Sequence, residues 1–373
     1  MFGIRSVNLA VLLYFIKLIR SSAGFYQCNF SEKFHVSNCS QGVNVRYIGL
    51  DRVAPTIYLN SSEVMDITPN AFDTVPELQK LYLNDNHLQE IKPQWFSRLT
   101  SLSLLDVSRN KIKIYFPGTF QSVRYLQRLY LGHNDLQVFD GKSDNFGRTI
   151  IDLSHNPLNE IYIDRVHTLH INHTNVTQLH FTQAVNIFAE YAKIESFSSS
   201  EGVIDKLHLR GNNIRDLSNL TDSFARMLYL DISQNTISAI PADAFRHLKG
   251  LRHLNISKVD LYEVYYGMFS SQRALEVLDI SYNYLWHLNM NKMYPARLRE
   301  LYLLGNSVWK VTDSRRSMRS LEKIGIAGNE LSCERLFKIY HKAVERGIEF
   351  LIPSHMANYT SDNIAGMPCR DVQ

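Results

Sequence analysis

Leucine and its apolar equivalents return along this chain in a fixed phrase, L-x-x-L-x-L-x-x-N-x-L. Clear copies begin at Leu78, Leu102, Leu126 and Leu251, the first three 24 residues apart. In the copy from Leu78, apolar Leu81 and Leu83 flank Tyr82. A period of two marks a short strand with one buried face, so the leucines point inward and Tyr82 outward. Asn86 follows where the chain must turn, and its amide can satisfy backbone groups that the bend leaves unpaired. Leu88, Ile91, Phe96 and Leu99 line the rest of the coil. One such coil cannot bury its apolar face alone, whereas stacked coils share a continuous core. The pattern therefore predicts an α/β solenoid with a parallel β-sheet on its concave face.

Thirteen first positions carry the pattern: Ala54, Leu78, Leu102, Leu126, Arg148, Val166, Ala184, Ile204, Met227, Leu251, Leu275, Leu298 and Leu321. An asparagine column runs through Asn86, Asn110, Asn134, Asn156, Asn212, Asn235, Asn283, Asn306 and Asn329, and fails at Ser62, Thr174, Ala192 and Val259. A convex column holds Phe72, Phe96, Phe120, Phe245 and Phe269, expected to stack ring on ring inside the core. Between residues 148 and 203 the period falls to 18 and the convex Phe disappears. Repeats this short leave no room for a helical convex turn. They predict a thinner solenoid with a change of curvature, or else a break into two domains.

Both ends read as caps, which a solenoid needs to cover its exposed core faces. Residues 1–23 have the form of a secretory signal: basic Arg5, an apolar run from Val7 to Ile16, and small residues Ser21 to Gly24. The run is short for a membrane anchor, and Lys17 interrupts its flank. Residues 24–53 are expected to cap the solenoid of residues 54–332, and residues 333–373 to close it. In the C-terminal cap Leu336, Ile339, Tyr340, Ala343 and Val344 recur at helical spacing, and Gly347 ends the helix. Ile348, Phe350, Leu351 and Ile352 follow as an extended segment. Cys28 and Cys39 lie before the repeats, Cys333 and Cys369 after them. Of the three possible pairings, Cys28–Cys39 with Cys333–Cys369 is the most economical, because the others would span the solenoid.

Charge and sequons bear on the compartment. The formal net charge is +4, but removal of the signal would leave 37 basic against 36 acidic residues. That balance gives no support to nucleic-acid binding. Candidate N-glycosylation sites are Asn29, Asn60, Asn172, Asn175, Asn219, Asn255 and Asn358; an eighth sequon, at Asn38, has a cysteine in its middle position.

The 24-residue repeat with convex Phe, the Cys28–Cys39 cap and the N-E-L-S-C phrase before the last helix resemble the extracellular leucine-rich repeat class, over about residues 25–370. Within it the irregular middle repeats, the single-disulfide caps and the secreted ending most resemble the leucine-rich immune proteins of mosquitoes and related insects. The resemblance implies innate immunity. Some of those proteins circulate in haemolymph and escort thioester-containing complement-like proteins to pathogens, and they carry extra cysteines and a coiled coil after the repeats. This sequence has neither after Cys369, so it is similar to the coil-less branch, and no covalent dimer is expected.

Candidate chemistry is sparse. The sequence holds no G-x-S-x-G, P-loop, H-E-x-x-H or C-x-x-C. No catalytic residue, metal site or cofactor is expected. His133, His155 and His173 share one phase of successive repeats and predict a row at the concave edge, which protonation would drive apart. Such a row holds its nitrogens in a line, unlike the tetrahedron that zinc requires. The outward column of the concave strands reads Tyr58, Tyr82, Asp106, Tyr130, Asp152, His170, Phe188, His208, Asp231, Asn255, Asp279, Tyr302 and Gly325. Its tyrosines suit a protein interface. Tyr82, Asp106, Tyr130, Asp152, His170 and His208 are the candidate ligand contacts, and a glycan on Asn255 would shift binding toward Tyr82 and Tyr130. The expected function is non-enzymatic recognition of a protein or glycan ligand, complement-like or pathogen-surface proteins among them. The alternatives are a developmental or adhesion ligand and an extracellular enzyme inhibitor.

Overall fold

The computed structural model describes residues 55–370 apart from 202, 219, 221, 238, 294–295, 313–318 and 361, together with the backbone of five short strands between Arg20 and Val45. Residues 1–19, 22 and 23 of the signal segment, Cys28, Cys39 and Asn219 lie outside the described residues, as do the side chains of Arg20, Ser21 and Asn29. The described chain divides into two compact units within the short repeats. The first runs through Val176 and includes His180–Ala184; the second is Thr177–Leu179 and the chain from Val185 onward.

In the first unit six parallel strands form the sheet: β1 Thr56–Tyr58, β2 Lys80–Tyr82, β3 Leu104–Asp106, β4 Arg128–Tyr130, β5 Ile150–Asp152 and β6 Arg165–His170. Their central residues Ile57, Leu81, Leu105, Leu129, Ile151 and Leu169 stand in one register row. All six are buried. Each such side chain stabilises the coil by about 1.5–3 kcal/mol, so this row dominates the strand layer.

In the second unit eight strands form the sheet: β7 Gln183–Phe188, whose first two residues belong to the first unit, β8 Lys206–His208, β9 Tyr229–Asp231, β10 His253–Asn255, β11 Val277–Asp279, β12 Glu300–Tyr302, β13 Lys323–Gly325 and β14 Glu349–Phe350. Its central row is Ile187, Leu207, Leu230, Leu254, Leu278, Leu301 and Ile324, and Phe350 of the cap pairs beyond it.

Turn asparagines bind coil to coil. Asn134 is buried; its Nδ2 donates to the carbonyls of Leu131 at 2.9 Å and Val107 at 3.1 Å, and its Oδ1 accepts from Ile112 N at 3.0 Å. Asn86, Asn212 and Asn283 repeat the arrangement. Where the column fails, the next coil or the replacing residue serves: Asn283 Oδ1 accepts from Val259 N, and Thr174 Oγ1 itself donates to the Ile171 carbonyl. The residue before each turn position is left-handed, with φ of 57° at Asp85, 50° at Arg109 and 56° at His133. At Gly211 the requirement is also steric, since a Cβ would stand 2.3 Å from the Tyr191 ring.

The convex side is mostly turns. It holds short 3₁₀ helices at Pro93–Phe96, Asp222–Phe224 and Met290–Lys292 in place of α-helices. Phe72, Phe96, Phe120, Phe245 and Phe269 are buried. Phe96 meets Phe120 at 5.0 Å, and Phe245 stacks on Phe269 at 5.9 Å. In the shortened region of the first unit, Val138–Asp140 pairs in parallel with Glu160–Tyr162, so an extended segment takes the place of the turn. Asp144 ties the last long coil to it, accepting from the Tyr115 hydroxyl, from Phe120 N at 2.7 Å and from Gly118 N at 3.1 Å.

The C-terminal cap contains helix α1, Cys333–Val344, started by Ser332, whose hydroxyl accepts from Arg335 N. The Cys333–Cys369 disulfide closes it. The helical face needs a correction. Leu336 and Ala343 are buried and Ile339 and Tyr340 half-buried, but Val344 is 52% exposed. It lies in the last turn, where the chain already leaves the core.

Candidate functional site

In the first unit the outward column is one register row: Tyr58, Tyr82, Asp106, Tyr130, Asp152 and His170. Each member is half-buried, because strand neighbours stand close enough to cover one another's flanks. The Tyr58 and Tyr82 rings stack at 4.9 Å, 5° from parallel. Burial raises the Tyr82 hydroxyl above its ordinary range, and Tyr58 and Asp106 add to the shift. Burial lowers His170, against the opposing charge of Asp152.

The aspartates have a structural task that the sequence reasoning missed. Asp106 Oδ1 accepts from Ser108 N at 3.0 Å and Ser108 Oγ at 2.7 Å, and Asp152 Oδ1 from Ser154 N at 2.9 Å. The second unit repeats this at Asp231 with Ser233, Asn255 with Ser257 and Asp279 with Ser281. The signal was present as D-x-S or N-x-S at one repeat phase. Each carboxylate or amide closes a small turn where the strand ends.

The second unit's column is Phe188, His208, Asp231, Asn255, Asp279, Tyr302 and Gly325. Its ring ladder departs from that column: Phe188 stacks on His208 at 4.4 Å, His208 on Tyr229 at 4.4 Å, and Tyr229 on His253 at 5.8 Å. Tyr229 and His253 escaped the sequence reading because they sit two residues before the outward position. Glu190 lies 3.7 Å from His208. Burial first, then Asp231, Glu190 and Asp279, pushes Tyr229 up to about 12. Burial also raises Asp279. A recess of about 310 Å³ opens over the outward column, lined by Asn255, Asp279 and Tyr302 with Arg210, Gln234 and Lys258 among others.

His133, His155 and His173 do form a row in the first unit. All are exposed and left-handed, the conformation that turns the side chain out at the sheet edge. His133 stacks on His155 at 4.2 Å and His155 on His173 at 4.6 Å. Burial and then the two neighbouring imidazoles lower His155, with Asp152 opposing. Stacked rings keep their nitrogens in parallel planes, and no described group of three His, Cys, Asp or Glu side chains could hold a metal ion.

Of the sequon asparagines, Asn60, Asn172, Asn175, Asn255 and Asn358 are half-buried. Asn255 Oδ1 accepts from Ser257 Oγ while its Nδ2 donates to Asp231 at 3.2 Å. Asn358 Oδ1 accepts from Thr360 Oγ1 at 2.8 Å. Among the described residues no helix is long and apolar enough to cross a membrane.

Short parallel strands, turn asparagines and stacked convex phenylalanines define the leucine-rich repeat fold. The family model for the leucine rich repeat matches residues 76–136 and 204–261. Mouse Tsukushi is 28% identical over 200 residues, 52% of this chain and 54% of that protein. The chain therefore matches about half the length of that relative. Among solved structures, the leucine-rich repeat domain of the mosquito protein APL1B aligns with a TM-score of 0.67 at 20% identity, over 85% of this chain and 94% of that one. The LRIM1/APL1C complex aligns with a TM-score of 0.70 at 19% identity, over 93% of this chain and 71% of that one. At these identities the likeness is one of fold.

Proposed function

We propose that this protein is secreted and acts in innate immunity as a non-enzymatic receptor for a protein or glycan ligand, held on the concave face. One observation carries the proposal: the concave strands present stacked, half-buried rings, Tyr58 on Tyr82 in the first unit and Phe188 on His208 on Tyr229 in the second. Rings already fixed by their neighbours lose little freedom on binding and still offer area and hydroxyls. The aspartates between them already hold serine turns, which speaks for scaffold and against acid–base catalysis. The N-terminal signal pattern and the sequons support secretion. The LRIM1/APL1C complex is a precedent, on the same fold, for assembly with a second protein.

Site-specific photocrosslinking tests this. A benzoylphenylalanine at position 82, and separately at Tyr125, which is 69% exposed outside the concave column, is activated in haemolymph. The expected result is a complement-like or pathogen-surface protein attached through position 82 only. A receptor ectodomain there would favour the developmental or adhesion alternative, and a protease or glycosidase the inhibitor alternative. Attachment through position 125 alone would refute the concave site.

A further inference from the structure

The second unit carries a run of cations that the concave face does not use. Arg226, Lys249, Arg273, Arg297 and Arg319 each stand one or two residues before the first position of successive repeats, and all are exposed. Lys249, Arg273 and Arg297 converge on a surface recess of about 670 Å³, completed by Ser270, Ala274 and Ala296. A few residues on, the neighbouring row is electrically self-satisfied: Arg252 meets Glu276 at 3.6 Å, and Arg299 grips Glu322 through Nε and Nη2, both at 2.8 Å. None of the five ladder cations has an ion pair among the described residues. Like charges held side by side without counter-charges are costly unless an anion joins them.

We propose that this edge binds a linear sulfated polysaccharide, with Lys249, Arg273 and Arg297 holding its sulfate groups. Guanidinium forks match the oxygens of a sulfate as they match a phosphate. Cations repeated once per coil suit a chain whose own charges repeat. The lining has no aromatic ring on which a nucleic-acid base could stack and no large apolar side chain to enter a bilayer. With the whole chain at +4, the field is local to this edge. The choice of a sulfated polysaccharide among polyanions rests on the secreted reading; the charge ladder does not.

The test measures binding of a size-defined heparin oligosaccharide, its desulfated counterpart and oligo-dT to the intact protein across a salt series. A triple variant, Lys249→Gln with Arg273→Gln and Arg297→Gln, is compared with a charge-matched control, Lys111→Gln with Lys113→Gln and Arg124→Gln, in exposed positions of the first unit. Thermal melts check that both fold. The ladder variant is expected to lose at least about tenfold in heparin affinity and about three from the slope of log K against log salt. The control and the desulfated sugar are expected to show, respectively, wild-type binding and none. Equal loss in the two variants would overturn the site. Oligo-dT bound as tightly as heparin through the same residues would overturn the polysaccharide assignment, and being measured on purified protein it would leave the concave-face proposal untouched.

Discussion

At the scale of single residues, side chains that look functional and side chains that build the coil share the same small segment of each repeat. Asn134 is a building residue, with two carbonyls and one amide from two coils depending on it at 3.1 Å or less. Asn134→Ala should destabilise the protein by about 3 kcal/mol, since buried partners are left unsatisfied; urea unfolding measures it. The histidines respond to pH. His155 and His170 are both lowered in the folded state. Below the ordinary imidazole value of about 6.5, the unfolded chain then binds more protons than the folded one. Stability contributed by these groups is therefore lost as pH falls through that value, and levels off below the folded pKa. Tm should drop between pH 7.5 and 5.5, and the drop should shrink in a His155→Asn, His170→Asn variant. An undiminished drop would assign it to other groups. The row itself was legible, because three histidines at one repeat phase must neighbour one another. The serine turns of Asp106 and Asp152 were overlooked because an outward aspartate reads equally well as a ligand contact until its partner two residues on is seen.

At the scale of elements, the strands were legible down to the residue. Period-two alternation fixes which side chain points out, and a repeat fixes which neighbours it meets. The convex segments were less so. An apolar residue such as Phe96 needs burial but no particular backbone, so the same spacing serves a 3₁₀ helix, a turn or the extended Val138–Asp140. Helical periodicity likewise over-reached at Val344, whose turn has run past the core. The cap remains the element on which the last coils depend: β14 continues the sheet from β13, and Cys333–Cys369 closes a separation of 36 residues. Replacing both cysteines by serine should cost about 3–4 kcal/mol through the freer unfolded chain. Hydrogen exchange should then rise first at Glu349–Phe350. Uniform exchange across the second unit would show that the cap does not open independently.

At the scale of the whole molecule, the short repeats that broke the spacing in the sequence coincide with the division into two compact units. Each unit carries its own ring ladder, and the second also carries the cationic edge. Recognition on the concave face depends on the tyrosines of the first unit. It is tested most directly by the affinity of the crosslinked partner for a Tyr58→Ala, Tyr82→Ala, Tyr130→Ala variant, beside Tyr125→Ala as the outside control. The triple variant is expected to lose at least about 30-fold in affinity, on the order of 2 kcal/mol, and the control none. Unchanged affinity in the triple variant, with its melting curve intact, would contradict it.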